Sequence, residues 1–253
     1  MTIIGSDTYV HRFNIGVSQT DSFVFDLNTE FPFIVGIYTE GTTKYTKSNI
    51  TLRANKTFVD DVHLYFLNSN NGVSGLYPFK PTFDRHSGKL YVEKKFSGGE
   101  ATTGDQTQYY LYVFLSKKPT KQHYIYKGAY ISIAPSRTGI MDIDIDLDPD
   151  ITEISALGFY FDYLVDLNLI VNGRQMFDRQ PLSFYTAYMK SQFLVPCEIK
   201  KITKLQVRLN TTSTTKEKHI NAVFQVPVEE PVTIPDKKIF IDKKINDERF
   251  LVK

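Results

Sequence analysis

The chain has 253 residues, room for one large β domain or two of ordinary size, and its 19 Phe and 16 Tyr supply real cores, which excludes wholesale disorder. A net charge of +2 with no concentrated basic block points away from nucleic-acid recognition. No run approaches the roughly 18 apolar residues that span a bilayer, and the single cysteine, Cys197, leaves no intramolecular disulfide and no cysteine-based zinc cluster.

In chain order, residues 1–20 read as an irregular start. Strands are expected at Phe23–Leu27, Phe31–Tyr38, Ile50–Arg53 and Val62–Leu67, the last alternating Val62, Leu64 and Phe66 against His63, Tyr65 and Leu67. Asn68–Gly72 is a turn cluster and Asp84–Lys89 a hairpin tip before Leu90, Tyr91 and Val92. Residues 97–108, rich in Gly, Thr and Ser, read as a loop. Tyr109–Leu115 is the most aromatic strand, with Tyr110, Tyr112 and Phe114 on one face and Leu111, Val113 and Leu115 on the other. A strand apolar on both faces is either central between layers or covered by another chain. A boundary falls between residues 116 and 138, with Tyr124–Ile133 as a connecting strand.

Ile140–Asp148 alternates most sharply: Ile143, Ile145 and Leu147 share one face, Asp142, Asp144, Asp146 and Asp148 the other, and Pro149 ends it. Leu157–Val171 reads as one long strand leading into Asn172-Gly173, a dipeptide suited to a tight hairpin. Pro181–Phe193 is the one fair helix candidate. Ile202–Asn210 alternates Leu205, Val207 and Leu209 against Lys204, Gln206 and Arg208; residues 210–218 form a polar loop, and Ile220–Val228 returns as a strand. Pro227, Pro231 and Pro235 then space an extended segment with two apolar runs, Ile239–Ile241 and Phe250–Val252. No repeat of fixed period is evident.

Candidate chemistry is sparse. Asp142, Asp144 and Asp146 invite a calcium reading, but neighbouring carboxylates on one strand face lie about 6.5–7 Å apart and no glycine turn follows. A facing row such as Lys204 and Arg208 offsets their repulsion instead. The five histidines (His11, His63, His86, His123, His219) fall in different segments, with no nucleophile elbow and no zinc-binding helix motif. Cys197, in the apolar run Phe193–Pro196, reads as an inert thiol. The loops at 71–75 and 97–100 carry no phosphate-loop lysine. Asn49, Asn55 and Asn210 open glycosylation triplets, but with no secretory leader visible they read as ordinary residues of a protein folding in a reducing cytoplasm. The ring enrichment suits protein contact, where aromatic anchors dominate, over sugar stacking.

Tyr160–Asn172 with its Asn-Gly turn, Phe193–Pro196, Lys201–Thr212 and His219–Pro227 together resemble the β-sandwich structural proteins of tailed bacteriophage virions. The resemblance covers about residues 157–228 and implies a non-enzymatic assembly component (capsid-associated, neck or collar, or tail) made in the host cytoplasm and carried in the virion. The expected fold is all-β: two β-sandwich, jelly-roll-like halves, residues 1–120 and 121–228, with an extended C-terminal arm, 229–253. The expected contact residues are Tyr110, Tyr112 and Phe114, then Ile239, Phe240, Ile241, Phe250, Leu251 and Val252. Partners are copies of the chain and other virion proteins, with no cofactor, no membrane and no nucleic-acid sequence recognition. The rival from another class is a glycan- or receptor-binding module reading with loops 68–75, 97–108 and 210–218. A hydrolase would need two carboxylates facing across a groove.

Overall fold

The computed structural model describes residues 2–3, 7–16, 20–40, 48–67, 86–96, 108–119, 124–135, 137–161, 166–176, 180–181, 194–211 and 217–228. In the first part of the chain the strands are β1 (Thr2–Ile3), β2 (Thr8–Asn14), β3 (Asp21–Asp26), β4 (Phe33–Glu40), β5 (Ser48–Arg53), β6 (Thr57–His63), then the helical turn α1 (Leu64–Leu67), β7 (Lys89–Phe96) and β8 (Tyr110–Ser116). The second part has β9 (Tyr124–Ile133), β10 (Gly139–Ile145), β11 (Glu153–Phe161), β12 (Asp166–Val171), β13 (Arg174–Gln175), β14 (Gln180–Pro181), β15 (Val195–Lys200), β16 (Leu205–Thr211) and β17 (Lys218–Pro227). The all-β expectation holds.

Strand order shows how they assemble. One sheet runs β1-β2-β8-β4, another β10-β16-β12-β13 with β14 also on β12, and an eight-stranded sheet runs β15-β11-β17-β9-β6-β5-β7-β3. In the first half the first long strand pairs with the last (β2 with β8) and the next with the penultimate (β3 with β7). The second half repeats this: β9 pairs with β17 and β10 with β16. A hairpin rolled up in this way is a jelly roll. The match is strand for strand. The order β2-β8-β4 corresponds to β9-β17-β11, and β3-β7-β5-β6 to β10-β16-β12-β13.

The two rolls are fused through one sheet. The first contributes β3-β7-β5-β6 and the second β9-β17-β11-β15, joined where β6 and β9 run parallel with Val59 opposite Tyr126 and Asp60 opposite Lys127. Each roll keeps its own core. Ile34, Ile37, Leu111, Val113 and Leu115 meet Leu52, Phe58, Val59, Leu90 and Val92 in one. In the other, Ile145, Leu167, Leu169, Leu205, Val207 and Leu209 meet Ile131, Leu157, Phe159, Ile199, Ile220 and Phe224. On β17, Val223 belongs to the first core and its neighbours Ala222 and Phe224 to the second; on β11, Ala156 and Leu157 divide likewise. Adjacent strand residues point to opposite faces, so the two outer sheets cover opposite faces of the shared one.

The junction depends on a close approach. At Asp61 (φ 52) β6 bulges, its register against β5 shifting between Ile50 and Leu52. The Asp61 carbonyl then lies so near Gly128 of β9 that a Cβ there would sit 1.9 Å from its oxygen. On the other face Lys127 Nζ bridges Asp60 (2.5 Å) and Asp148 (3.2 Å) with its side chain 19% exposed.

Several local expectations change. Residues 8–14, read as irregular, form a strand central to the first outer sheet. The strand expected over Val62–Leu67 stops at His63, and a helical turn buries Leu64, Phe66 and Leu67 together, which alternation could not do. The long strand expected over Leu157–Val171 is two strands in different sheets, β11 and β12. The acidic strand ends at Ile145, before Pro149. The Asn172-Gly173 hairpin is present with both residues at positive φ, 51 and 78°. Asn172 Oδ1 also accepts the Thr203 and Lys204 amides at 2.8 and 3.0 Å, tying the turn to the start of β16. The helix candidate beyond Pro181, the loops at 68–75, 97–107 and 212–216, and the arm at 229–253 lie outside the described residues.

Candidate interaction surface

Because Leu111, Val113 and Leu115 of β8 are fully buried, each contributing on the order of 1.5–3 kcal/mol, the alternate residues Tyr110, Tyr112 and Phe114 must face outward. They do, half-covered, at the middle of the outer sheet. The flanking strands complete a platform. Arg12 of β2 and Tyr38 of β4 share a pairing row with Tyr112. The Tyr38 and Tyr112 rings stack at 4.5 Å with an interplanar angle of 11°, and Phe114 lies 6.4 Å from Tyr38. The Arg12 guanidinium sits 3.6 Å above the Tyr110 ring and 5.8 Å from Tyr112, a cation–π arrangement.

One polar handle anchors the platform. Tyr112 donates its hydroxyl to Glu40 Oε2 at 2.5 Å. Burial first, then that hydrogen bond and the Glu40 charge, push the Tyr112 hydroxyl pKa well up; burial does the same more mildly for Tyr38. Both phenols stay neutral donors at ordinary pH. The surface offers ring faces, the Arg12 cation and the Glu40 carboxylate.

Of the expected contact residues, the structure brings Tyr110, Tyr112 and Phe114 together and adds Arg12 and Tyr38. The alternation of Tyr9, His11 and Phe13 against Arg12 and Asn14 is the signal that reading residues 1–20 as irregular passed over. The six arm residues, Ile239 to Ile241 and Phe250 to Val252, lie outside the described residues.

The aspartate strand resolves as charge pairing. Arg208 grips Asp142 with two bonds, Nε at 2.6 and Nη2 at 2.7 Å, holding that carboxyl below its usual pKa. Asp144 accepts from Gln206 (2.6 Å) and pairs with Lys204 (3.3 Å). The facing row anticipated from sequence is there. Among the described residues no three His, Cys, Asp or Glu side chains gather to hold a metal. Cys197 is half-buried, and burial pushes its thiol up to about 12, so it is a poor nucleophile.

A second outward feature lies across the shared sheet. Val24 (58% exposed), Tyr91 (39% exposed) and Arg53 form one row over β3, β7 and β5, with the Arg53 guanidinium 4.8 Å from the Tyr91 ring. With Ser22, Thr51, Thr57 and Glu93 they line an open groove of about 420 Å³. Among the described residues that line it, Glu93 is the one carboxylate.

No protein family and no curated protein sequence matches the chain. Among solved structures, similarity extends to the major capsid protein P2 of bacteriophage PM2, with 10% identity and a TM-score of 0.45, covering 88% of this chain and 99% of that one. A triple jelly roll protein of an archaeal virus, from a study of its turret assembly, shows 9% identity and a TM-score of 0.26 over 90% of this chain and 60% of its own. Dimeric latent PorU from Porphyromonas gingivalis shows 10% identity and a TM-score of 0.22 over 87% and 26%. Likenesses this distant decide nothing; strand order carries the fold.

Proposed function

We propose that the chain is a structural subunit of a virus particle, a capsid-type component that works by burying surface on copies of itself and on companion virion proteins. The observation that carries this reading is the tandem jelly roll: two rolls of matching strand order welded into one eight-stranded sheet. Jelly rolls recur in viral capsid and lectin domains, and a fused pair is a rigid block presenting two outer sheets on opposite sides. The Tyr38–Tyr110–Tyr112–Phe114 platform on one of them supplies the aromatic anchors that dominate protein interfaces. The finer assignment made from sequence, to tailed phages or to a neck, collar or tail part, is not needed for this reading.

Mass photometry and negative-stain microscopy of the full-length chain test it. Closed rings or shells are expected at micromolar concentration, and Arg12→Glu, which sets a carboxylate over the Tyr110 ring, is expected to weaken them. A chain that stays monomeric under all assembly conditions overturns the reading. The same platform supports a second reading, a glycan-binding face, since sugars also stack on aromatic rings. Binding of the isolated monomer to a glycan array, lost in Tyr112→Ser, would favour it.

A further inference from the structure

We propose that residues 238–243 of a neighbouring copy add a strand to β3, extending the eight-stranded sheet across a subunit boundary. The idea rests on the shell reading in one respect, that a neighbouring copy is present.

β3 is the outermost strand on its side of the shared sheet, paired on one side with β7 and on the other with nothing among the described residues. An edge strand is a template for pairing. Its inward side chains, Phe23 and Phe25, pack on the first core and remain only half-buried, Phe25 stacked on Phe13 at 4.3 Å. Its outward Val24 is exposed at the lip of the groove with Tyr91 and Arg53. Asp21 and Asp26 close the strand at its two ends.

The segment Lys238-Ile239-Phe240-Ile241-Asp242-Lys243 is complementary to it. In one antiparallel register Asp26 faces Lys238, Phe25 faces Ile239, Val24 faces Phe240, Phe23 faces Ile241, Ser22 faces Asp242 and Asp21 faces Lys243. Ile239 and Ile241 then continue the inward apolar face, Phe240 covers Val24 beside the groove, and a lysine meets each terminal aspartate. A one-residue slip moves every side chain to the wrong face. The parallel alignment puts Asp242 inward beside Phe25. Backbone pairing supplies affinity and the side-chain pattern specificity, as in other strand additions.

The shell reading, in which every edge meets another copy, selects a neighbour's segment. β17 ends at Pro227, opposite Tyr124 at the start of β9. β3 lies five strands from β17, so the position beyond it is about 29 Å away at about 4.8 Å per strand. From Pro227 to Lys238 the chain has eleven residue steps, about 36–40 Å when fully extended. That length spans the distance within one subunit or between two; the shell reading selects the neighbour, and the cross-tag disulfide distinguishes the two.

The test uses full-length chains in a Cys197→Ser background. Separately tagged Val24→Cys and Phe240→Cys chains are mixed and oxidised, and a disulfide joining the two tags is expected. In parallel, Asp21→Lys with Asp26→Lys, and Lys238→Asp with Lys243→Asp, should each weaken assembly by about tenfold from two reversed cross-strand pairs. Mixing these two charge-reversed chains should restore it. Asp26 also pairs with Lys89, so restoration, more than loss, identifies the contact. A disulfide formed only within a doubly substituted monomer overturns the assignment to a neighbour. Multimers unaffected by either charge reversal, with no cross-tag disulfide, overturn the docking on β3 and leave the shell reading standing. A wild-type chain that forms no multimers removes the shell reading itself.

Discussion

Lys94 is a cation held almost wholly out of water. It projects inward from β7 in the row of Asp21 and Ile50, 1% exposed, with its ammonium 5.8 Å from the Phe23 ring. Burial, only partly countered by the Asp21 charge, lowers its pKa to about 8. The native chain therefore releases this proton near pH 8, while the unfolded chain holds it to the ordinary lysine range near 10.4. Between these values the unfolded state binds more protons, so this group's contribution to stability rises with pH. The melting temperature of the wild type minus that of Lys94→Met is expected to increase from pH 8 to pH 10, read by circular dichroism. A flat difference would mean the amine is as well solvated folded as unfolded. At the same scale the sequence was informative where the rule is local: Asp142 with Arg208 and Asp144 with Lys204 pair as the alternating charges implied. Lys94 itself could not be picked out, because Glu93, Lys94 and Lys95 look alike until the sheet assigns them faces.

Among the elements, β6 and β9 bear the greatest constraint. Their parallel ladder is only two residue pairs long, and it survives because Gly128 lets the Asp61 bulge lie against β9. Gly128→Ala forces the Asp61 carbonyl away and is expected to cost at least about 3 kcal/mol, at the upper end of overpacking effects, measured by urea unfolding. A change below about 1 kcal/mol would show that the bulge yields freely. Strand existence was legible here because alternation is a property of a few consecutive residues. Termination was not. Leu157–Val171 reads as one apolar run, yet its two ends belong to different sheets, a division imposed by which partners each half can reach.

For the whole molecule, the welded sheet makes the two rolls thermodynamic neighbours. Calorimetry is expected to show a single unfolding transition in the wild type, because losing either core exposes strands that the other needs. Gly128→Ala should split it into two. Two separate transitions in the unaltered chain would show that the β6–β9 seam does not couple them. By itself the sequence determined that the chain is all-β, which faces of β8, β10 and β16 are apolar, and where the Asn172-Gly173 turn lies, since side-chain alternation and turn chemistry act over a handful of residues. Only the tertiary structure decided that β2 joins β8, that the second half repeats the first without repeating its sequence, and that Arg12 and Tyr38 come to Tyr112. Such pairings join residues far apart in the chain, and they are chosen by how whole sheets bury their apolar faces.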